Sequence, residues 1–411
     1  MKPFRRIALC IVLALAAIPF ASAQEDTLRL GFSVRGKVVD ATSGRAVEAA
    51  YVSVNGRNHA TVTNADGVFV LRSDREIGSI TVSCLGYKTA VLDASGDDLS
   101  KIRLQRSEFT LDEAIVSAGS ARSIVIEALD RLWDTYCTQP ELLECFYRET
   151  VQKKGRFTYV AEAVARIYKE QYRYGGVHRD NAALEKSRVL VSQRRSDTLS
   201  VKFQGGPTQA TAMDVLKNKD ILFNRQDMDL YSFELDRPAF IDGRSQLVVK
   251  VKPFSYAPYA LYYGTLYIDQ ELLTFTRIEL SLDMSDIGKA RDMLLVKKPT
   301  GLRFTPQEAT MVINYRLTDG KTRLEYMRTT IRFTCDWRRR LLKTNYTCVN
   351  ELVVTDVRPE AVPIPRNERF NTRDILNDKA AEFLDPDFWE GYNIIEPSES
   401  LEHAIHRLRK N

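Results

Sequence analysis

Three Xaa-Gly pairs, Lys154-Gly155, Asp242-Gly243 and Asp319-Gly320, each stand between two β-patterned runs. Two more, Asn55-Gly56 and Asp66-Gly67, punctuate a short region near the front. A tight two-residue hairpin needs positive φ at its centre, which glycine adopts without steric cost. Parallel strands would instead need crossovers of a dozen or more residues. The turns therefore predict a mainly β chain with some α, built by hairpin addition.

Residues 33–105 carry the alternation of strands. Val34, Gly36 and Val38 share one face, as do Val52 with Val54, Phe69 with Leu71, and Ile80 with Val82 and Cys84; Ile102 and Leu104 close the set. Seven strands in so short a span predict a β-sandwich, bounded at 24–107 and followed by a linker at 108–119. A second domain is expected over 120–357. It opens with a helix from Ser120 to Tyr136, where Ile124, Ala128, Leu129 and Leu132 recur at helical spacing and Pro140 marks the end. Roughly ten antiparallel strands fit between 145 and 355 at ordinary strand lengths. In LLTFTRIELSL, Ile278, Leu280 and Leu282 face one way and Arg277, Glu279 and Ser281 the other, which predicts one buried and one wet face. The helix stripe and the apolar sheet face each need a cover. They are expected to cover one another in a curved sheet, with a groove left beside the helix. After Val357 a proline-spaced linker leads into a tail, 358–411, too rich in Phe383, Phe388, Trp389, Tyr392, Ile394 and Ile395 to stay free. It is expected to pack on the sheet and to end in a helix from Ser398.

The first residues, MKPFRRIALCIVLALAAIPFASAQ, place Lys2, Arg5 and Arg6 before an apolar run and end it at Ala21-Ser22-Ala23. This is the pattern of a secretory signal peptide, 1–23, with Gln24 as the first mature residue. The run falls short of the about 20 residues that span a bilayer. Removing the three basic residues takes the formal charge from +5 to about +2. Acidic and basic residues are mixed, and the Arg338–Arg340 run sits where a strand should end, so no nucleic-acid partner is indicated. The mature chain keeps Cys84, Cys137, Cys145, Cys335 and Cys348, an odd number that leaves at least one thiol unpaired.

The histidines are His59, His178, His403 and His406; none stands three residues before a glutamate, and no zinc set is expected. The chain has no G-x-S-x-G elbow and no phosphate-binding G-x-x-x-x-G-K-[ST] loop. Asp227 with Asp229, and Asp385 with Asp387, are isolated acidic pairs that lack the further ligands a cation needs. Glu149 and Glu162 lie on facing strands of the first hairpin. As a carboxylate pair they would suit acid–base hydrolysis, whereas Arg148 and Arg166 beside them favour cross-strand ion pairs. No catalytic residue, cofactor or metal is expected.

The stretch GKVVDATSGRAVEAAYVSVNGRNHATVTNADGVFVL, followed by ITVSCLGYKTAVL, resembles the carboxypeptidase regulatory-like domain found at the front of exported Bacteroidota proteins. The resemblance rests on Gly36, Val38, Asp40, Thr63, Asp66, Gly67, Phe69, Ser83, Gly86 and Tyr87. It implies a seven-stranded, transthyretin-like sandwich without catalytic residues, and a location in the periplasm or at the outer membrane. The segment Leu111–Val116 resembles the linker that follows this domain in TonB-dependent transporters. No barrel-sized run of girdled strands follows, however, and the transporter reading is rejected. One helix followed by a long β-meander containing YYGTLYID is similar to outer-membrane lipoprotein-carrier folds.

Tyrosines cluster at two places, being apolar with a polar tip and so suited to contact surfaces. One group is Tyr168, Tyr172 and Tyr174; the other is Phe254, Tyr256, Tyr259, Tyr262 and Tyr263. The sequence thus predicts an exported binding protein that makes at most peripheral membrane contact. Its sandwich serves contact or spacing, and its sheet domain binds a partner protein, a glycan or an apolar ligand.

Overall fold

The computed structural model describes residues 31–96, 98–107, 120–172, 179–197, 206–224, 226–295, 299–337, 343–358, 361–379, 381–382, 389 and 391–410. The signal peptide, the 108–119 linker, Tyr174, His178, the Arg338–Arg340 run, Phe383, Phe388 and the Asp385–Asp387 pair lie outside these residues.

The seven predicted strands of the front domain form two small sheets. One has the order β4 (Val68–Ser73), β1 (Phe32–Asp40), β7 (Ile102–Leu104); the other runs β3 (Ala60–Val62), β2 (Tyr51–Val54), β5 (Ser79–Ser83), β6 (Ala90–Asp93). Val38, Val52, Phe69, Leu71, Ile80 and Val82 meet between them and are fully buried or nearly so. Gly36 is required in β1, because a Cβ there would sit 2.6 Å from the Phe69 ring.

The second domain begins with α1 (Ala121–Asp130) and α2 (Leu132–Thr135). The single helix expected over Ser120–Tyr136 is therefore two, broken at Arg131. The Ser120 hydroxyl caps α1 by accepting from Ser123 N at 3.2 Å. Ten long strands follow: β8 (Glu141–Lys153), β9 (Arg156–Lys169), β10 (Asn181–Val191), β11 (Tyr231–Ile241), β12 (Arg244–Pro253), β13 (Tyr262–Asp269), β14 (Phe275–Leu282), β15 (Leu302–Thr318), β16 (Lys321–Trp337) and β17 (Thr344–Arg358). The three predicted hairpin turns are present, with Lys154, Asp242 and Asp319 at φ of 50–53° and their glycines at 72–76°. Two short helices, α3 (Pro207–Ala212) and α4 (Ile287–Leu294), interrupt the strands. In the tail stand β18 (Arg369–Phe370), α5 (Leu376–Lys379), β19 (Ala381–Glu382) and α6 (Glu399–Lys410).

The spatial order is β11-β12-β13-β14-β15-β16-β17-β8-β9-β10-β18, with β19 also on β10. The ten long strands pair antiparallel throughout. The place where chain order and spatial order part decides the interior. Strand β10 lies at one side of the sheet and β11 at the other, so the connection between them must cross the whole face. It crosses the inner one. Val215, Leu216, Leu222, Phe223 and Met228 of this connection join Ile124, Val125, Ala128 and Leu132 of the helices in one core with Tyr147, Leu266, Ile278, Leu280 and Leu352. Helix and sheet do cover one another as expected. The groove expected beside the helix is occupied by the crossing segment, and the void left near α3 measures about 30 Å³, the room of one or two waters.

The outer face is covered too, along β8, β9, β16 and β17. Phe146, Val164, Tyr326 and Val353 pack there against Val62 of the sandwich and against Trp389, Ile394 and Ile395 of the tail. Farther along, α6 sets Leu401, Ile405 and Leu408 on Val160 and Leu190. Ser398 caps this helix by accepting from Leu401 N. Strands β11 to β14 keep the kind of wet outer side that Arg277, Glu279 and Ser281 predict: Arg277 pairs with Glu279 at 2.6 Å, Lys250 with Asp236 at 2.5 Å and Lys252 with Glu234 at 3.3 Å.

Candidate functional site

Glu149 and Glu162 do not form a carboxylate pair. The two-residue turn at Lys154-Gly155 alone would have set them on one face. The register slips between Val151 and Gln152, where Val151 pairs with Tyr159 but Gln152 with Phe157, leaving Thr158 as an extra residue. Because side chains alternate, one extra residue moves everything beyond it to the other face. Glu149 then faces Ala161 on the inner side, and Glu162 faces Arg148 on the outer side.

Each carboxylate is held by its own partners. Glu149 accepts from the hydroxyls of Tyr147 at 2.9 Å and Tyr159 at 2.6 Å. Burial raises its pKa, and the two tyrosines offset this in part. Glu162 is fully buried between two guanidinium groups, Arg148 and Arg188, each with a nitrogen 2.6 Å away. Burial alone would raise its pKa, but Arg148 and Arg188 hold it below the ordinary carboxylate range. Arg148 also donates to Ile395 O, and Arg188 lies 4.8 Å from the Trp389 ring. This triad binds the tail.

A second buried cluster, missed in the sequence, lies on the inner face. Lys169 donates to Asp214 at 2.6 Å and to Asp180 at 3.1 Å, and Lys217 pairs with Asp180 as well. The hydroxyls of Tyr172 and Tyr315 donate to Asp214 at 2.8 and 2.7 Å. The two lysines balance the two aspartates. Burial, with Lys169 nearby, pulls Lys217 down to about 8. Lys217 and Asp214 come from the crossing segment and Lys169 from β9, so the cluster pins that segment to the sheet. Scattered lysines and aspartates carry no periodic signal, and only the fold brings them together. Tyr172, expected on a contact surface, belongs to this interior network. Tyr168 is half-buried on the outer side.

The second aromatic group sits differently. The connection between β12 and β13 leaves Phe254 68% exposed, Tyr256 80% and Tyr259 38%, and Tyr263 at the start of β13 is 47% exposed. Tyr262 is half-buried and packs inward. The loop is pinned rather than loose. Lys289 of α4 donates to Ala257 O at 2.6 Å and lies 3.9 Å from the centre of the Tyr256 ring. Tyr259 donates to Asp227 at 2.6 Å, and Ala260 packs with Ala290 of α4 beneath. Helix α4 adds Ile287, 40% exposed. The result is a tethered stretch of exposed aromatic residues, an aromatic platform, with the Lys289 ammonium beside Tyr256.

The other polar candidates are accounted for locally. Asp229 pairs with Arg122 at 2.5 Å. His59 lies 3.2 Å from Asp74, and His403 and His406 stand on α6. Among the described residues no three His, Cys, Asp or Glu side chains gather as a metal site, and the five cysteines there are free. No described helix is long and apolar enough to cross a membrane.

Residues 34–116 match the CarboxypepD_reg-like domain family, as the motifs of the front domain predicted. No curated protein matches the chain at a significant level. Among solved structures, a LolA superfamily protein from Nitrosomonas europaea is 15% identical, with 60% of this chain and 96% of that one covered and a TM-score of 0.21. MucB in complex with MucA(peri) is 12% identical over 58% of this chain and 99% of that one, at 0.18. A putative membrane-associated protein of unknown function from Bacteroides fragilis is 10% identical over 79% and 97%, at 0.15. The similarity to the LolA and MucB folds is distant, and likenesses this slight say nothing of what this chain binds.

Proposed function

We propose that this chain is an exported, non-catalytic binding protein of the cell envelope whose contact surface is the aromatic platform of the β12–β13 loop and α4. The partner is a protein. One observation carries this reading: four large aromatic side chains within ten residues stand exposed, three on the β12–β13 loop that Lys289 and Tyr259 hold in place and Tyr263 at the start of β13. Rigid aromatic side chains lose little entropy on contact and dominate interface energetics. The signal-peptide pattern supports export, and the regulatory-like domain supports a place in the envelope. Among the described residues, the crossing segment and helices packed on the inner face of the sheet argue against carriage of an apolar ligand there, and the separated Glu149 and Glu162 argue against hydrolysis.

The test compares wild type with the variant Phe254→Ser/Tyr256→Ser/Tyr259→Ser/Tyr263→Ser as bait in envelope extract, with photo-crosslinks placed in the loop. A protein crosslinked through the loop and lost with the variant supports the reading. Equal capture by both baits, or crosslinks confined to the sandwich, overturns it.

A further inference from the structure

The junction of the two domains holds a cleft of about 210 Å³ that is separate from the aromatic platform. One wall is the β2–β3 hairpin of the sandwich, with Asn55, Arg57 and Asn58. The other is the β15–β16 hairpin of the sheet domain, with Thr318, Arg323 and Glu325. Asn58 bridges the walls by donating to Val357 O at 3.0 Å.

Three properties of these walls narrow what fits. The volume falls below the roughly 300 Å³ at which pockets for drug-sized ligands begin, so the occupant is about one ring in size. Its charge is set by the arginines, all of which are already paired. Arg316 has Glu325 at 2.6 Å and Asp242 at 3.1 Å, Arg323 has Glu141 at 2.7 Å, and Arg57 has Asp74 at 3.7 Å. An anion would compete with these carboxylates for the arginines, and a cation would have to take Glu325, the one carboxylate of the lining, from Arg316 among three guanidinium groups, so the ligand is neutral. The third property is the lining chemistry. Amide, hydroxyl and guanidinium groups alternate with the aliphatic Leu317, Leu324 and Val357. A pyranose ring presents both kinds of surface, hydroxyls at its rim and C–H groups on its faces.

We infer that the cleft between the β2–β3 and β15–β16 hairpins is a binding site for a single neutral saccharide unit, bridging the sandwich and the sheet domain. Bound there, the sugar touches both domains and ties them together.

The test uses the full mature chain and a panel of neutral sugars: glucose, galactose, mannose, fucose, N-acetylglucosamine and N-acetylgalactosamine. Inorganic phosphate and citrate serve as anionic controls. Saturation-transfer NMR reports contact, and thermal unfolding reports stabilisation, with affinity expected in the millimolar range. At least one sugar should give both signals. Thr318→Trp, which fills the cleft, should remove them while the ligand-free melting temperature stays unchanged; Leu317→Trp on the same hairpin is the second blocking variant. The four-fold aromatic variant should leave sugar binding intact, which separates this site from the platform. The inference fails if no sugar in the panel binds, if phosphate or citrate binds in preference, or if binding survives both tryptophan variants.

Discussion

Arg72 of strand β4 and Asn393 of the tail exchange two hydrogen bonds. The Arg72 amide donates to Asn393 Oδ1 at 2.7 Å, and Asn393 Nδ2 donates back to Arg72 O at 3.0 Å. One side chain thus completes the edge of the sandwich sheet as a neighbouring strand would. Thr61 donating to Ile394 O and Asn64 donating to Pro397 O continue the seam. Residues 392–397 thus add a fastening between the sandwich and the sheet domain beside the direct contacts of Asn58 with Val357 and Glu48 with Arg328.

Asn393→Ala should therefore loosen the front domain without unfolding it. It leaves a buried amide and carbonyl unpaired, at a cost of about 1–3 kcal/mol each when water cannot replace the partner. Hydrogen exchange at the Arg72 amide should accelerate, while amides in β8 and β17 stay protected. Unchanged exchange at Arg72 would mean that the tail is not a fastener.

Glu162→Gln should destabilise the whole chain. The substitution keeps the volume but leaves Arg148 and Arg188 buried without their counter-charge, a loss of about 3–5 kcal/mol for a broken buried pair. Urea unfolding of the full mature chain measures it. In the wild type, the depressed Glu162 pKa contributes stability that is present above its unfolded value near pH 4.5 and lost as pH falls through the lower folded value. The variant should lack that acid-side loss.

Glu144 works in the opposite sense. Burial, with Glu185 and Asp356 nearby, pushes it up to about 7, and Arg358 only partly offsets this. A raised carboxylate favours the fold below its unfolded pKa, and that contribution disappears as pH rises through 7. Stability should decline between about pH 5 and 7 on this account. Glu144→Gln should flatten the decline and leave the protein roughly 2 kcal/mol more stable than wild type above pH 8. Parallel curves for the two proteins would refute the assignment.

Gly264 tests the sheet directly. It lies in YYGTLYID opposite Leu280, and a Cβ there would sit 1.8 Å from the carbonyl oxygen of Glu279. Glycine in a strand interior marks such a close backbone approach. Gly264→Ala must push β13 and β14 apart, with an expected loss of more than about 2 kcal/mol, measured by the urea midpoint. A neutral effect would show that these strands are not in this register.

Residues 24–107 should fold alone, since the sandwich has a core of its own. The fragment should give dispersed amide NMR signals. A collapsed spectrum would show that it depends on Phe146 and its neighbours across the junction.

What the sequence revealed followed from local rules. Turn glycines and strict alternation exposed the seven short strands, the ten long ones and the three hairpins, because these depend on neighbours in the chain. What it hid depended on one residue or on distance. Thr158 shifts the register of β8 and β9 and so separates Glu149 from Glu162, and nothing in that residue announces a bulge. The crossing segment carries Val215, Leu216, Leu222 and Phe223 in neither a helical nor a strand period. Its length between β10 and β11 was the available clue, since a long structureless loop in a compact domain is uncommon. Tyr172 and Phe254 look alike in sequence, and burial alone sent one to the core and left the other in solvent.

The pairing of β8 with β17 has a consequence for how the protein comes into being. Thr355 on β17 reaches Glu144 on β8 across 211 positions of chain. A chain emerging from its N-terminus first therefore presents β8, β9 and β10 long before their central neighbour exists. Non-local pairing of this kind slows folding, because loop closure must precede the contacts that reward it. During that interval β8 has an open edge, and the apolar residues Phe146 and Val164 have neither Tyr326 nor Trp389 over them. Such surfaces invite aggregation. The front sandwich precedes them in the chain, and in the finished fold its Val62 lies over Phe146 and Val164.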